Sequence, residues 1–310
     1  MAADRSLDLI TIDKSWVDLT LQVPALPQHD RKVVGRQLGR RAGGMGGNVA
    51  CAASRLGLRT GVASWTGDDA GGHLILESLE QFGVDATHLS VERGAVTNYT
   101  VILLDPSGEK AIVLVPTTRD VLVMDDPLRR YLRQAQIVYV APYDLQQTAQ
   151  VADVVHQARG LVACDLEATA GLSDEQIAQL LPVVDILFTP GSAADLAGLE
   201  AEARRWAARG PRLVAVTGGA VGAAVCYEEQ CHSAASFKVP VVDTTGAGDC
   251  FTGAFLAAFL RDIPLKGALI YAQAAAAITI QTYGVRDALP DDTQIQAFLD
   301  AHPRSEAPDL

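Results

Sequence analysis

The sequence predicts an α/β fold in which a mostly parallel β-sheet is covered by helices on both faces and carries a small second β-sheet. From residue 137 onward, short runs rich in β-branched residues alternate with segments whose apolar residues have helical spacing. The connections between these segments are short, which is typical of parallel strands joined by helical crossovers. Strand-like segments within residues 14–40 and 96–120 lack this alternation, and they predict the small sheet.

The small sheet rests on three strand-like segments of the N-terminal half. Trp16–Val23 alternates like a half-exposed strand. Tyr99–Leu104 and Lys110–Val115 flank the turn signal Asp105-Pro106-Ser107-Gly108 and predict a hairpin with no helix beside it. Two interpretations are open: an appendage built from two insertions, or an ordinary hairpin at the edge of the main sheet.

The main sheet and its helices follow from the rest of the chain. The predicted strands are Ile137–Ala141, Leu161–Asp165, Asp185–Thr189, Leu213–Thr217 and Ala223–Tyr227. The predicted helices are Val49–Leu56, Ala70–Phe82, Gln146–Ala158, Ser173–Leu181, Glu200–Arg209, a helix running through Phe255 to Leu260, and Ala274–Thr282. Since no repeat and no linker divides the chain, residues 1–310 are predicted to form a single domain.

Composition limits the function classes. The 310 residues are 49% hydrophobic and carry a formal net charge of −12, so the chain as a whole has no basic footprint for nucleic acid, although a local patch is not excluded. The N-terminus does not resemble a secretory signal, and the apolar stretch Ala268–Ile280 is too short to span a bilayer. The five cysteines form no Cys-x-x-Cys pair, which predicts reduced thiols. We therefore expect a soluble cytoplasmic protein without nucleic-acid or membrane partners.

Two glycine-rich segments, residues 43–48 and 243–249, each precede a predicted helix. Neither has the spacing of a dinucleotide-binding fingerprint or of a Walker loop. Glycines there let the backbone approach a ligand closely, and the first N–H groups of a helix have no partner within the helix. With the helix dipole, this makes both turns candidate anion sites.

Asp249 lies inside the second glycine-rich turn. An aspartate at this place is often a helix N-cap, but Thr244 or Thr245 could cap equally well. A carboxylate beside an anion site also suits the acceptance of a proton from an alcohol that attacks a bound phosphate. Because of the helix N-terminus, we expect the pKa of Asp249 to be low rather than raised.

These motifs resemble those of the ribokinase-like (PfkB) carbohydrate kinases. DTTGAGDCFTGAF at 243–255 is similar to the C-terminal signature of the family, and GGMGGNVACAASRLG at 43–57 with GDDAGGHLILESLEQFGVD at 67–85 is similar to the N-terminal one. The resemblance runs from about residue 9 to 300. It implies a three-layer α/β sandwich with a β-sheet lid, formed here by residues 14–40 and 96–120, and an ATP- and Mg²⁺-dependent transfer of phosphate to a sugar hydroxyl.

The resemblance also implies roles for single residues. Asp249 would be the catalytic base, and the backbone of Gly246, Ala247 and Gly248 would form an anion hole. Asp18, Gly44 and Asn48 would contact the hydroxyl groups of the substrate. Thr217, Gly218, Gly219 and Gly222 would line the ATP site. Asp243, Thr245 and Gly284 would hold a monovalent cation such as K⁺, although Asp243 could instead only brace the turn through local backbone N–H groups.

Some positions depart from the family pattern. After Thr189-Pro190 the family usually shows Asn-x-x-Glu, whereas this chain has residues 191–194 as Gly-Ser-Ala-Ala and Asp195 out of register. Magnesium would then be held chiefly through phosphates and water, with some other carboxylate assisting. Met45 and Ala141 replace a lysine and an acidic residue of ribokinases, which weakens ribose as the substrate.

Arg119 has two interpretations. It is either a solvated loop arginine or a clamp for a phosphorylated, sulfonated or acidic sugar, because guanidinium groups suit such anions. The family member that uses sulfofructose also lacks Asn-x-x-Glu. The alternatives to a simple sugar kinase are thus a sugar-phosphate or sulfosugar kinase, a nucleoside kinase, and a non-catalytic sensor of sugar or nucleotide. The apolar strands Val17–Val23 and Tyr99–Leu104 further suggest a homodimer through the lid.

Overall fold

The structure is a computed structural model that describes residues 5–106, 110–118, 122–169 and 172–303. Its strands are β1 (Leu7–Ile12), β2 (Trp16–Gln22), β3 (Arg36–Gly43), β4 (Thr60–Gly67), β5 (Asp85–Glu92), β6 (Tyr99–Leu104), β7 (Lys110–Val115), β8 (Ala135–Val140), β9 (Leu161–Asp165), β10 (Ile186–Pro190), β11 (Leu213–Thr217), β12 (Gly222–Tyr227) and β13 (Gln230–Ala235). Its α-helices are α1 (Met45–Arg55), α2 (Ala70–Gln81), α3 (Asp126–Leu132), α4 (Leu145–Gln157), α5 (Asp174–Leu180), α6 (Leu196–Ala207), α7 (Ala247–Leu260), α8 (Leu265–Thr279) and α9 (Asp292–Ala301).

The described strands form a nine-stranded main sheet in the order β13-β12-β11-β10-β9-β8-β1-β4-β5. All neighbours from β11 to β5 pair in parallel, whereas β12 and β13 are antiparallel additions at one edge. This confirms the predicted α/β fold with a mostly parallel sheet. In such a sheet the loops after the carboxyl ends of the parallel strands form the usual ligand-binding edge.

The second sheet is separate from the main one and has the order β3-β2-β6-β7. The β6–β7 hairpin occupies the predicted segments, and β2 joins it by parallel pairing with β6. This decides against a hairpin at the edge of the main sheet. The strands predicted to be exposed are largely covered, since Val17, Val23 and Ile102 are buried. Within the second sheet, the exposed large apolar side chains lie instead on β7, at residues 112–114.

Helices α1 and α7 pack against each other on one face of the main sheet, and this contact positions the site described below. A side chain at Gly253 of α7 would approach the Ala52 Cβ of α1 to 2.7 Å, so the glycine allows the two helices to lie close together. Both helices belong to the largest buried cluster, together with α8. Their N-terminal ends therefore meet at the same edge of the sheet.

Several element boundaries differ from the predicted ones. Helix α6 begins at Leu196 rather than Glu200, because the Asp195 carboxylate accepts a hydrogen bond from Gly198 N and caps it. Helix α1 begins at Met45, within the glycine-rich turn itself. The last predicted helix, Ala274–Thr282, is the C-terminal part of the longer α8, which ends at Thr279.

The prediction that all five cysteines are reduced is wrong. Cys226 and Cys231 lie directly opposite each other in the β12–β13 hairpin and form a disulfide. The other three, Cys51, Cys164 and Cys250, are buried free thiols. Counting cysteines could not reveal that two of them share one register position across a tight hairpin.

In the part of the chain that the structure describes, no helix is both long and apolar enough to cross a membrane.

Candidate active site

The α7 turn, residues 243–249, leaves backbone donors exposed at a helix start. Gly246 is the N-cap of α7 and has φ 74°, where a side chain would overlap Val285. The N–H groups of Gly248 and Asp249 have no hydrogen-bond acceptor within the described residues. Asp249 is the third residue of α7 and not its N-cap, so the capping interpretation is wrong. The turn has the geometry of an anion site with a carboxylate beside it.

The carboxylate of Asp249 is held by α1. Asn48 Nδ2 donates to Asp249 Oδ2 at 2.7 Å. The pKa of Asp249 is raised to about 8, first by burial and then by the charges of Glu167, Asp165 and Asp13, against the lowering effect of the Asn48 hydrogen bond. The expected low pKa is therefore wrong, because loss of hydration and neighbouring negative charges outweigh the helix dipole.

The α1 turn, residues 43–48, also starts a helix after a glycine with positive φ, but its environment differs. Its N-cap Gly44 has φ 93°, and a side chain there would approach the Lys14 carbonyl oxygen to 2.7 Å. Gly46 N donates to Asp13 Oδ2 at 2.7 Å. The chain thus places its own carboxylate at this helix start. Burial raises the pKa of Asp13 to about 6, against the lowering effect of its backbone hydrogen bonds.

Asp18 lies where the second sheet meets the α1 turn. It is paired with Arg41 of β3 and Thr100 of β6, and its carboxylate packs against Gly43. Burial raises the pKa of Asp18, while a hydrogen bond with Thr100 and the charge of Arg286 lower it. Asp18 therefore presents a partly desolvated carboxylate close to both glycine turns.

Two cavities flank this region. One, of about 210 Å³, is lined by Asp18, Arg36, Arg41, Thr245 and Gly284, among others. The second, of about 480 Å³, is lined by Asp13, Lys14, Ala141, Tyr143 and Gln147, among others. Both contain hydrogen-bonding groups of the kind that hold sugar hydroxyls, and guanidinium or ammonium groups lie among them.

A larger cavity of about 870 Å³ lies on the other side of the α7 turn. Thr217, Gly219 and Gly222 line it, and it extends to Ala247 and Gly248. Its walls are mainly apolar, with the side chains of Phe237, Val239 and Phe251 among them, which suits a nucleobase. Gly218 is outside the lining and packs instead against Leu199.

Asp243 braces the α7 turn. Its Oδ1 accepts a hydrogen bond from Thr245 N at 2.9 Å, and its Oδ2 accepts one from Gly284 N at 3.4 Å. The three residues predicted to hold a monovalent cation are therefore together, and the cation itself stays a prediction. Among the described residues, no group of three or more His, Cys, Asp or Glu side chains could hold a metal ion.

The residues at 191–195, where the family usually shows Asn-x-x-Glu, make local hydrogen bonds instead. Ser192 N and Oγ donate to the Glu202 carboxylate at 3.1 and 3.0 Å, and Asp195 caps α6 as described. Glu167, in a short 3₁₀ helix after β9, lies nearer to the α7 turn: a Cβ built on Gly248 would be 3.7 Å from its Oε2.

Sequence reasoning missed four charged residues of the site. Asp165 is the last residue of β9, and Asp13 and Glu167 lie one and two residues beyond the ends of β1 and β9. That position at the carboxyl edge of a parallel sheet could have pointed to them. Arg286 lies two residues after the predicted cation residue Gly284, in a segment that resembles the family, but the resemblance assigned a role only to Gly284. The predicted substrate residue Arg119 lies outside the described residues.

The fold places a large, mainly apolar cavity and two polar cavities on either side of a helix start with open N–H groups, an arrangement that suits a small-molecule kinase. Residues 6–292 match the model of the pfkB family carbohydrate kinases, and the chain belongs to this family.

The chain is 30% identical over 287 residues to an ATP-dependent ribose-1-phosphate kinase of Halopiger xanaduensis, covering 92% of this chain and 95% of that protein. It is 27% identical to a ribokinase of Haemophilus influenzae, covering 91% and 95%. Among solved structures, it resembles Arabidopsis thaliana ribokinase complexed with ribose and ATP, with a TM-score of 0.83, 25% identity and coverage of 94% and 98%. The protein is thus a carbohydrate kinase of the ribokinase fold.

Proposed function

We propose that the protein transfers the γ-phosphoryl group of ATP to a hydroxyl group of a sugar, with Asp249 as the general base. The observation that carries this proposal is the α7 turn, where open N–H groups and the Asp249 carboxylate lie side by side. The turn separates the large apolar cavity, which suits the nucleobase of ATP, from the polar cavities, which suit the acceptor. The relatives described above support ATP as the donor.

In this proposal the acceptor hydroxyl gives its proton to Asp249 while its oxygen forms the new bond to the phosphorus, and the bond to the ADP oxygen breaks. The half-buried backbone of Gly246, Ala247 and Gly248 and the N-terminus of α7 stabilise the charge on the transferring group. The Gly248 N–H is open for this role, whereas the Ala247 N–H donates to Thr244 O at 3.3 Å and would have to exchange that partner for the phosphate. Asp18, Gly44 and Asn48 orient the sugar. Thr217, Gly219 and Gly222 line the adenine end of the site.

The described residues fit a magnesium ion held mainly by phosphates and water. Mg²⁺ commonly takes only one or two carboxylates in nucleotide sites, and Glu167, facing Gly248, is the carboxylate that we propose to assist. When bound, the ion neutralises phosphate charge as the phosphoryl group transfers.

A second candidate is a kinase for a sugar that already carries an anionic group. Arg36 and Arg41 line the same cavity as Asp18 and Thr245, so a substrate between them would meet two guanidinium groups. The name of the Halopiger xanaduensis relative, a ribose-1-phosphate kinase, points the same way.

The test is ADP formation with ketoses, pentoses, sugar acids, sugar phosphates and nucleosides, each checked by mass spectrometry of the product. We expect a phosphorylated sugar or sugar phosphate, and Asp249→Asn to lose about 10³-fold in turnover while still binding ATP. A phosphorylated nucleoside would favour the nucleoside kinase, and no product from any acceptor would favour the sensor. Near-normal turnover of Asp249→Asn would contradict the role of the base.

The homodimer and the location in the cell stay predictions. The exposed apolar residues 112–114 of β7 support association through the second sheet. Light scattering that finds a monomer at high concentration would contradict it.

A further inference from the structure

Arg286 is a buried arginine whose guanidinium group makes three hydrogen bonds at the site. Only 6% of the residue is exposed. Its Nε donates to Asn48 Oδ1 at 3.0 Å, its Nη1 to Ser78 Oγ at 3.0 Å, and its Nη2 to the Gly43 carbonyl oxygen at 2.9 Å. One side chain from the loop after α8 therefore joins the α1 turn, helix α2 and the residue that holds Asp249.

The partners of Arg286 are neutral. None of the ion pairs within the described ranges includes it, although its charge lowers the pKa of the nearby Asp18. Burying a guanidinium group without a hydrogen-bonded carboxylate lowers stability, because the group loses its hydration and gains no ion pair in exchange. The burial of Arg286 despite this cost points to a role for the position of its guanidinium group.

That geometry determines the orientation of the Asn48 amide. Asn48 Oδ1 accepts from Arg286, and Asn48 Nδ2 donates to Asp249. Rotating the amide by half a turn would place its NH₂ group against the guanidinium and its oxygen against the carboxylate, so both contacts would become repulsive. Only one orientation satisfies the two neighbours.

We infer that Arg286 is a positioning residue for phosphoryl transfer, which locks the Asn48 amide so that Asn48 Nδ2 holds one oxygen of Asp249 and leaves the other for the acceptor hydroxyl. This inference rests on the proposed function of Asp249. It assigns no contact between Arg286 and the substrate. The effect of Arg286 on the reaction passes through Asn48.

Gly47 provides a test that leaves Arg286 in place. A side chain on Gly47 would overlap Arg286 Nη2, the far end of a flexible side chain, so the guanidinium can move away without displacing backbone. Gly47 lies in α1, where alanine favours the helix over glycine by about 1 kcal/mol. Gly47→Ala is therefore expected to disturb the position of Arg286, and the gain in helix propensity offsets part of the cost of the disturbed hydrogen bonds.

The experiment measures kcat and KM for ATP and for the best acceptor in Gly47→Ala, Arg286→Met and the double variant. We expect kcat to fall about tenfold in Gly47→Ala and up to about 100-fold in Arg286→Met, with little change in KM for ATP, because the base is misplaced and nucleotide binding is not. The double variant should be no slower than Arg286→Met. Arg204→Met, which removes an exposed arginine of α6, is the matched control and should keep the parental kcat.

A second cycle tests whether Asn48 carries the effect. Arg286→Met should cost much less in an Asn48→Ala background than in the parent, because residues that act as one unit are not additive. If Arg286→Met lowers kcat by the same factor in the parent and in the Asn48→Ala background, the inference is overturned. An unchanged kcat in both Gly47→Ala and Arg286→Met would overturn it as well.

Thermal unfolding separates positioning from folding. If Arg286→Met unfolds, Gly47→Ala decides alone: a fall in kcat at a temperature where its unfolding curve shows a fully folded protein supports the inference, and parental kcat overturns it. If Asp249→Asn keeps turnover, the proposed base fails, whereas loss in Asp249→Asn with parental rates in the other variants refutes only the role of Arg286.

Discussion

In both the α1 turn and the α7 turn, a glycine with left-handed backbone starts a helix, with φ 93° at Gly44 and 74° at Gly246. The difference lies opposite the helix starts. Asp13 from the end of β1 accepts the Gly46 N–H in the α1 turn, whereas the Gly248 N–H in the α7 turn has no acceptor among the described residues. The second N–H group of the helix is thus taken by the protein itself in the α1 turn and is open in the α7 turn, where we propose that it binds a ligand.

The two turns also differ in what their carboxylates must do. Asp13 accepts two backbone hydrogen bonds, from Lys14 N and Gly46 N, and so fixes the start of α1 to the end of β1. Asp249 accepts one hydrogen bond, from an amide that is itself held by Arg286. A helix start binds an external anion only where no internal carboxylate has taken its donors.

Among the tests that leave Asp249 in place and compare the two turns, the largest expected effect comes from distorting the α7 turn. Gly246→Ala places a methyl group on a left-handed backbone and against Val285, which tilts the donors of the proposed anion hole. We expect turnover to fall about 10²-fold. Gly83→Ala is the matched control, since Gly83 has φ 68°, open space around it and a position far from the site. Steady-state kinetics should show that Gly83→Ala keeps its rate, and equal losses would mean that backbone strain alone is measured.

The next largest effect is the pH dependence of the rate. With a pKa of about 8, Asp249 is mostly protonated below that pH and cannot accept a proton, so kcat/KM for the acceptor should fall about tenfold per pH unit on the acid side. A rate that is flat from pH 6 to 9 would contradict this.

The stability of the fold should respond to pH with the opposite sign. The pKa of Asp249 is raised from its usual 3.8 to about 8, so the folded state binds more protons than the unfolded state between these values. The contribution of Asp249 to stability is present below pH 4 and is lost as the pH rises through 8. The Tm of Asp249→Asn should therefore exceed that of the parent at pH 8 and approach it near pH 4, as calorimetry across this range can check.

A smaller effect on turnover is expected from a monovalent cation next to Asp243, the residue that braces the α7 turn. If Asp243, Thr245 and Gly284 hold a potassium-sized cation, K⁺ should raise turnover several-fold over a bulky organic cation at fixed ionic strength and saturating magnesium–ATP. Equal activity in both salts would restrict Asp243 to the two backbone hydrogen bonds described above.

The smallest effect on turnover is expected at the α1 turn. Asp13→Asn puts an NH₂ group against one of two backbone donors, which should lower the free energy of unfolding by about 1–3 kcal/mol. Turnover should stay within a few-fold of the parent, and the acid limb of the rate should move to lower pH because a negative charge near Asp249 is gone. A loss as large as that of Asp249→Asn would mean that the two turns do not have separate roles.

Much of the fold was readable from the sequence because its signals are local. The β6–β7 hairpin follows from a turn between two β-branched runs, and both strands have the predicted bounds. The start of α1 was placed too late, since glycines with low helix propensity form its first turn, and close packing on α7 compensates for this. The pKa of Asp249 was predicted with the wrong sign because only the helix dipole can be inferred from its neighbours in the chain.

By itself, the sequence determined the alternation of strands and helices, the left-handed glycines that start α1 and α7, and the place of Asp249 beside the second start, since each depends on residues a few positions apart. Only the tertiary structure decided which turn stays open, because Asp13 reaches Gly46 across 33 residues. It also decided how Asp249 is held: Asn48 lies 201 residues from Asp249, and Arg286 lies 238 residues from Asn48. Burial and charge act through space, and for this site the folded chain brings the contributing groups together from distant parts of the sequence.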